Sequence, residues 1–408
     1  MKDGRAPLLS AEEVWARMRE DLAPVADCEK VTLANAVSRV LAQDVRAPIA
    51  VPGFDNSAMD GYAFRAADAQ GVRELPLSLR VAAGDKPSTL APGTACRIFT
   101  GAPVPSGADT VVIQEHCERR GDTLILPEQW TAHANIRRAG EDMRAGDVVL
   151  EAGQILTPQA VGLAASCGFT EILARRRLRV AVLSTGDELR PPGSGPLRQG
   201  QIYDSNRPML NALLTRLGCE LLAAGALGDD LARTREALRE AAQTADVIVT
   251  TGGVSVGEED HVKAAVEAEG ALALWRVAIK PGKPLAFGRV GTAHFLGLPG
   301  NPVSAFVTFL LFVQPFLKAI MGAAPTPLRA FPVHAAFARE TADSRREFVR
   351  ARLVTRDDGG VWAETHSRQS SGVLSSTVWA EGLIDIAAGR LVAVGDTVPF
   401  LPFEGILA

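Results

Sequence analysis

The chain has 408 residues, 47% hydrophobic and 22% charged, with a formal net charge of -4. This is the composition of an ordinary globular protein with room for roughly two to four domains, and its slightly acidic balance gives no electrostatic case for wrapping nucleic acid. Cysteines at 28, 96, 117, 167 and 219 include no C-x-x-C pair, so neither a zinc knuckle nor a disulfide framework is indicated, and a reducing, cytoplasmic setting is expected.

The N-terminal stretch MKDGRAPLLSAEE lacks an apolar export segment. Ser10 with Glu13 spells a capping box and Leu9 with Val14 a hydrophobic staple, which predicts a helix from there to about Leu22. Residues 44–137 change texture to short β-type runs such as ACRIF and TVVIQE between Pro/Gly turns, a small β-rich domain. In GEDMRAGDVVLEAGQILTPQAVGLAASCG the two "AG" turns suggest a hairpin, followed by a helix near Pro158 capped by Thr157. This stretch, 138–178, is expected to pack beside the N-terminal helix and to form with 1–43 a helical and extended arm. The basic run RRRLR, Arg175 to Arg179, reads as a solvated strand entry.

From 179 to 327 strands alternate with helices: RVAVLST, RPMLNALLTRLG, ELLAAGAL, ARTREALREAAQ, DVIVT, HVKAAVEAEG, then ALALWRVAI, PLAFG, HFLGL and PVSAFVTFLLFV. That alternation predicts a three-layer α/β/α domain with a mostly parallel sheet. The longest apolar run, near AFVTFLLFV, is interrupted by Gln314 and Pro315 short of a membrane span, so no membrane association is expected. From 328 to 408 short strands return, most simply as a small β-barrel.

In such sheets ligands bind outside the carboxyl ends of the strands. Several unusual loops fall there: STGDEL with Gly186, Asp187 and Glu188; TTGGVSVGEED, Thr250 to Asp260; KPGKP with Lys280 and Lys283; and Pro299-Gly-Asn301-Pro302-Val-Ser304, where Asn301 can cap a helix whose first residue is Pro302. Carboxylates beside lysines and free backbone N–H groups suggest a divalent cation shared with an anionic ligand, since Mg²⁺ takes one or two protein carboxylates and completes its shell with phosphate oxygens and water.

The TTGGVSVGEED loop has competing spellings. Gly252 and Gly257 have P-loop spacing, but Glu258 and Glu259 stand where Lys and Ser/Thr belong. Gly253, Ser255 and Gly257 spell a nucleophile elbow, yet three carboxylates follow and no downstream histidine sits in a catalytic context; Ser255 reads as a small residue in a tight loop. Histidines form no metal triad, and the absence of G-x-G-x-x-G disfavours a nicotinamide enzyme. Turn chemistry accounts for most of the Asp, Asn, Gly and Pro in PGFDNSAMDGYAF and FTGAPVPSGADTVV, though not for the Thr100 hydroxyl beside Gly101 nor for the similar Gly140-Glu141-Asp142 turn.

Taken in order, PGFDNSAMDGYAF, IFTGAPVPSGADTVVIQE, GEDMRAGDVVLEAGQILTPQAVGLAASCG, LSTGDEL, GQIYDSNRPML, VTTGGVSVGEEDHVK, IKPGKPLAFG and GLPGNPVSAF resemble the molybdopterin molybdenumtransferase family, which includes bacterial MoeA and the E domains of its plant counterpart and of gephyrin. The C-terminal part matches mainly through Arg350 in EFVRARL and Ser371 in QSSG. The resemblance implies an elongated homodimer of four-part subunits whose central domain is like the molybdopterin adenylyltransferase of the preceding step. It implies insertion of molybdate into adenylylated molybdopterin with Mg²⁺ and release of AMP.

By the same resemblance Asp187, Glu188 and Asp260 hold metal, with Asp229 nearby. Lys280, Lys283, Ser304, Arg350 and Ser371 bind molybdate. Asp60, Thr100 and Asp142 match positions that matter for activity, reaching the site from the partner subunit. Thr185, Gly186, Gly252, Gly253, Ser255, Pro299, Asn301 and Pro302 fall among the cofactor-binding positions. An adenylyltransferase and acceptor molybdoenzymes are the expected partners. A tungstate-specific paralogue and a non-catalytic, gephyrin-like scaffold are the alternatives.

Overall fold

The computed structural model describes residues 8–20, 22–24, 27–223, 225–254, 261–357 and 359–407. Its centre is a sheet whose strands run in the order Leu8–Leu9, Gly270–Val277, Pro284–Val290, Ala293–Leu298, Val247–Thr251, Arg179–Thr185, Glu220–Leu222, with Ala226–Leu227 also paired to Arg179–Thr185. Strands Arg179–Thr185, Val247–Thr251 and Ala293–Leu298 are parallel, while 270–298 adds antiparallel pairings. Side-chain alternation explains the two covered faces. Val180, Val182, Val247 and Val249 face a core shared with helices Asn206–Arg216 and Pro302–Thr308, whereas Ala181, Leu183 and Ile248 face helices Leu231–Thr244 and His261–Glu269.

The helix starting at Pro302 does not stop at Gln314 and Pro315. An α segment, Pro302–Thr308, passes through a π turn, Phe309–Val313, into Gln314–Ile320. Proline lacks an N–H and crowds the preceding turn, and the wider π turn accommodates it without breaking the helix. The resulting segment Pro302–Ile320 is long and apolar enough to cross a membrane, but 83% of its apolar window is buried, making it the core helix of this domain.

The capping box forms as expected: Glu13 N–H donates to Ser10 Oγ at 3.1 Å and Ser10 N–H to Glu13 Oε2 at 2.7 Å. The helix ends at Arg19 rather than near Leu22, and its placement differs from expectation. Val14 and Met18, one turn apart, insert into the central core, and Leu8–Leu9 extends the central sheet beside Arg276 and Val277. Residues 136–175 pair instead with residues 28–57. Cys28–Thr32 joins Glu171–Arg175, Val45–Arg46 joins Val148–Leu150, and Asn56–Ser57 joins Ile136–Arg137, all antiparallel. The hairpin suggested by the "AG" turns is therefore replaced by distant pairing, which buries Leu150 with Val31, Leu41 and Ile172. Thr157 caps helix Pro158–Ser166 as expected, accepting from Ala160 N–H at 3.2 Å.

The β-rich part is a six-stranded sheet ordered Thr110–Ile113, Gly61–Phe64, Ala95–Ile98, Glu74–Val81, Thr123–Ile125, Glu118–Arg120. At the C-terminus Arg346–Thr355, Val361–Thr365, Phe331–Ala335, Thr397–Pro402 and Gly382–Ile386 close into a barrel through pairing of the first strand with the last. Ile279–Lys280 lies parallel to Arg346–Glu347, so the lysine loop of the central domain is stitched to the barrel.

The RRRLR run is not a solvated entry. Arg176 donates to both oxygens of Asp246 at 2.6 and 2.8 Å and to Asp27 at 2.8 Å; Arg179 N–H adds a 2.8 Å bond to Asp246, and Arg177 donates to the Gly218 carbonyl at 2.7 Å. Burial works to raise the Asp246 carboxyl, but the bonds from Arg176 and Arg179 prevail and hold it below its ordinary value. Its folded value being depressed, this contribution is full above the ordinary carboxylate range and is lost as pH falls through the folded value. Asp246→Asn is expected to cost about 3 kcal/mol in urea unfolding at neutral pH, with the deficit shrinking on acidification below that range.

Candidate functional site

At the carboxyl ends of Arg179–Thr185 and Val247–Thr251 lies a cleft of about 810 Å³. Thr185, Gly186, Glu188, Asp229, Gly252, Gly253, Asn301 and Pro302 line it, so loops distant in sequence meet where the sheet topology places them. Gly252 has φ +90°, and a Cβ there would lie 2.7 Å from the Thr185 carbonyl oxygen, so a side chain would force the two loops apart. Pro299 contributes its carbonyl, which accepts from Thr251 Oγ1 at 3.2 Å. Asn301 stands at the N-cap without a side-chain cap bond, leaving Pro302 at the first helical position.

Asp187 and Asp229 brace the mouth reciprocally: Asp187 N–H donates to Asp229 Oδ2 at 3.3 Å and Asp229 N–H to Asp187 Oδ1 at 3.1 Å. Glu188 lines the cleft between them and the short ribbon of Leu189–Arg190 with Ile202–Tyr203. Ser255, Glu258, Glu259 and Asp260 lie outside the described residues. Among the described residues no three His, Cys, Asp or Glu side chains converge as a metal cage. The arrangement at Asp187 and Glu188 suits a cation that takes one or two carboxylates and draws its other ligands from phosphate and water.

Two residues of the cleft floor were not singled out from sequence. Asp204, 1% exposed, accepts from Ser184 Oγ at 2.6 Å and from Arg207 N–H at 3.1 Å. Asn206 donates to Thr251 Oγ1 at 2.8 Å and to the Gly300 carbonyl at 2.7 Å, tying three loops together. The signal was the Asp-Ser-Asn triplet ahead of a helix, a local turn and cap pattern that carries no sign of long-range cross-linking.

A second polar region adjoins the cleft at the seam with the barrel. Gly282, in KPGKP, sits so close to the core helix that a Cβ would meet Thr308 Oγ1 at 2.5 Å and the Ser304 carbonyl at 3.6 Å. Val303 N–H donates to the Ser371 carbonyl at 3.0 Å, and Arg350 donates to the Ser370 carbonyl at 3.4 Å. The lysine loop, Ser304, Ser371 and Arg350 are thus gathered around the start of one helix, and the neighbouring Gly372 and Leu374 also wall the cleft.

Arg350 is 1% exposed and forms no ion pair among the described residues; its guanidinium bonds only to neutral acceptors, Ser376 Oγ at 3.2 Å and the Phe348 and Ser370 carbonyls at 3.4 Å. Burial pushes it down to about 10, still protonated at neutral pH. Lys280, by contrast, is already engaged, with Nζ 2.7 Å from Glu347 Oε1 and 3.0 Å from Asp343 Oδ2. Of the two ammonium groups expected of KPGKP, that of Lys280 is therefore neutralised by two acids.

Asp60, Thr100 and Asp142 are not among the residues lining the cleft of their own chain. Thr100 donates to Asp60 Oδ1 from its backbone N–H at 2.7 Å and its hydroxyl at 2.8 Å, and these bonds, the backbone one foremost, hold the Asp60 carboxyl below its ordinary value. Asp142 is exposed on a turn tied to Val51 by a 3.1 Å backbone bond.

An α/β/α domain with a large cleft at its strand ends, walled in part by the turn that holds a buried guanidinium without an ion pair among the described residues, defines a protein that binds an anionic ligand of cofactor size. Residues 9–168 match the family model of the MoeA N-terminal region (domain I and II), 181–319 a probable molybdopterin binding domain and 333–403 the MoeA C-terminal region (domain IV). The molybdopterin molybdenumtransferase of Haemophilus influenzae is 41% identical, covering 98% of this chain and 100% of its own; molybdopterin molybdenumtransferase 2 of Mycobacterium tuberculosis is 39% identical over 94% and 98%. The crystal structure of the molybdopterin biosynthesis moeA protein from Pyrococcus horikoshii superposes with a TM-score of 0.82 at 29% identity, over 97% of this chain and 100% of that one. The chain belongs to the molybdopterin molybdenumtransferase family.

An unpaired buried cation destabilises the fold that holds it. Its depressed folded value means that this penalty applies at neutral pH and fades as pH rises through about 10. Arg350→Met, similar in volume but uncharged, is expected to raise unfolding stability by about 1–2 kcal/mol in a denaturant titration.

Proposed function

We propose that this chain is a molybdopterin molybdenumtransferase, inserting molybdate into the dithiolene of adenylylated molybdopterin, cleaving the adenylate and releasing AMP and molybdenum cofactor. The observation that carries the reading is Arg350, a buried guanidinium with no carboxylate partner among the described residues, bonded to the Ser370 carbonyl beside the turn whose Gly372 and Leu374 wall the cofactor-sized cleft. Molybdate is a tetrahedral dianion, and a guanidinium, lysine ammonium groups and serine hydroxyls are the donors that suit it. Arg350, Lys280, Lys283, Ser304 and Ser371 form that set.

The substrate's pterin and adenylate lie in the cleft lined by Thr185, Gly252, Gly253 and Asn301, its dithiolene toward the seam. Asp187, Glu188 and Asp260 would hold Mg²⁺, which neutralises adenylate phosphate charge when bound. Glu188 and Asp229 at the mouth keep the adenylate end distinct from the cationic seam. Cleavage breaks the bond from the adenylate phosphorus to the oxygen of the pterin side chain: attack by water releases AMP directly, whereas attack by a molybdate oxygen gives adenylyl molybdate, from which AMP leaves with that oxygen when a dithiolene sulfur binds molybdenum. Asp60, Thr100 and Asp142 act across a homodimer: Thr100 fixes the Asp60 carboxylate in its ionised form, so that it serves as an acceptor at the shared site. The enzyme works in the cytoplasm, receiving its substrate from an adenylyltransferase and passing product to molybdoenzymes.

The test is direct. Protein mixed with adenylylated molybdopterin, Mg²⁺ and molybdate should yield AMP and metal-loaded pterin in equal amounts. Lys283→Ala and Asp260→Ala should each slow AMP release by about 100-fold or more with unchanged circular dichroism. Full turnover in both variants would contradict the site assignment.

A further inference from the structure

We propose that Asp343 and Glu347 are positioning residues that hold Lys280 as a directed donor toward the oxyanion, an inference that rests on the reading of Lys280 as an oxyanion ligand. The sheet register makes the contact: Ile279–Lys280 runs parallel to Arg346–Glu347 with Lys280 opposite Glu347, and Arg346 N–H donates to the Ala278 carbonyl at 3.0 Å. Glu347 is 3% exposed, and its second oxygen is taken by Arg339, whose Nε lies at 2.8 Å. Asp343 is fixed in turn by Arg345, through N–H at 3.0 Å and Nε at 3.2 Å.

Lys280 has three N–H groups, and these carboxylates engage two of them. The third is left with a fixed direction, so the rotamer entropy of a long flexible side chain is lost on folding and not on ligand binding. Charge still favours an anion, because Lys280, Arg339 and Arg345 are three cations against the two acids. Glu347 also lies on the strand that bears Arg350, Arg346–Thr355.

A merely structural role, gluing barrel to central domain, would change stability alone. The experiment measures molybdate KM, adenylylated molybdopterin KM, kcat and melting temperature for wild type, K280A, E347Q, D343N and the double variant K280A/E347Q; D343N, at the rim, covers the case in which E347Q fails to fold. Expected is a rise of about tenfold in molybdate KM for E347Q and D343N, with kcat and the pterin KM within about twofold. In the K280A background E347Q should add nothing further. Unchanged or lowered molybdate KM in E347Q and D343N, with K280A impaired, overturns the inference while leaving the oxyanion site standing. The same holds if the E347Q effect persists in full without Lys280. An unaltered molybdate KM in K280A overturns both the inference and the placement of Lys280 in the site.

Discussion

A guanidinium that is 1% exposed and, among the described residues, bonded only to neutral oxygens costs several kcal/mol to keep, and the seam around Arg350 is arranged to impose it. Its strand alternates in two directions. Val349 and Ala351 fill the barrel interior, while Phe348 joins the core of the central domain. Arg350 shares the Phe348 side and is carried toward that domain by the same alternation. Gln369 locks its peptide in place, accepting from Arg350 N–H at 3.1 Å and donating to the Arg350 carbonyl at 2.9 Å. Backbone and side chain are thus fixed before any ligand arrives, and an oxyanion would supply the counter-charge that the protein withholds.

The cleft is built on a complementary constraint, close approach of loops. Gly252 allows the loop after Val247–Thr251 to lie against Thr185, and Asn206 ties Thr251 to Gly300 across the sheet edge. Hydroxyls, amides and carboxylates then converge on one volume that opens toward the QSSG turn and the seam. Glu188 and Asp229 line this cleft, and Arg350 lies beside it, bonded to the turn whose Gly372 and Leu374 form part of its wall.

Much of this was legible in local pattern. Alternation of strands such as RVAVLST and DVIVT with helices marked a sheet covered on both faces, and Ser10 and Thr157 capped helices where their spelling said they should. The loops of the cleft were found because a parallel sheet collects its strand ends at one edge. What local pattern does not carry is partner choice between distant segments. The N-terminal helix docks on the central core, residues 28–57 pair with 136–175, and Arg176 clamps Asp246. The same limit applies at the site: KPGKP announces two lysines, but only the barrel strand shows that one of them arrives with two carboxylates attached.

The most direct measurement is the position of molybdenum itself, located by anomalous scattering at its absorption edge in crystals of the protein grown with molybdate. The predicted result is one strong peak within hydrogen-bonding reach of the Arg350 guanidinium, flanked by Ser304, Ser371 and Lys283. Ordered molybdate at another place, with Arg350 still bonded only to Ser370, Ser376 and Phe348, would contradict the account.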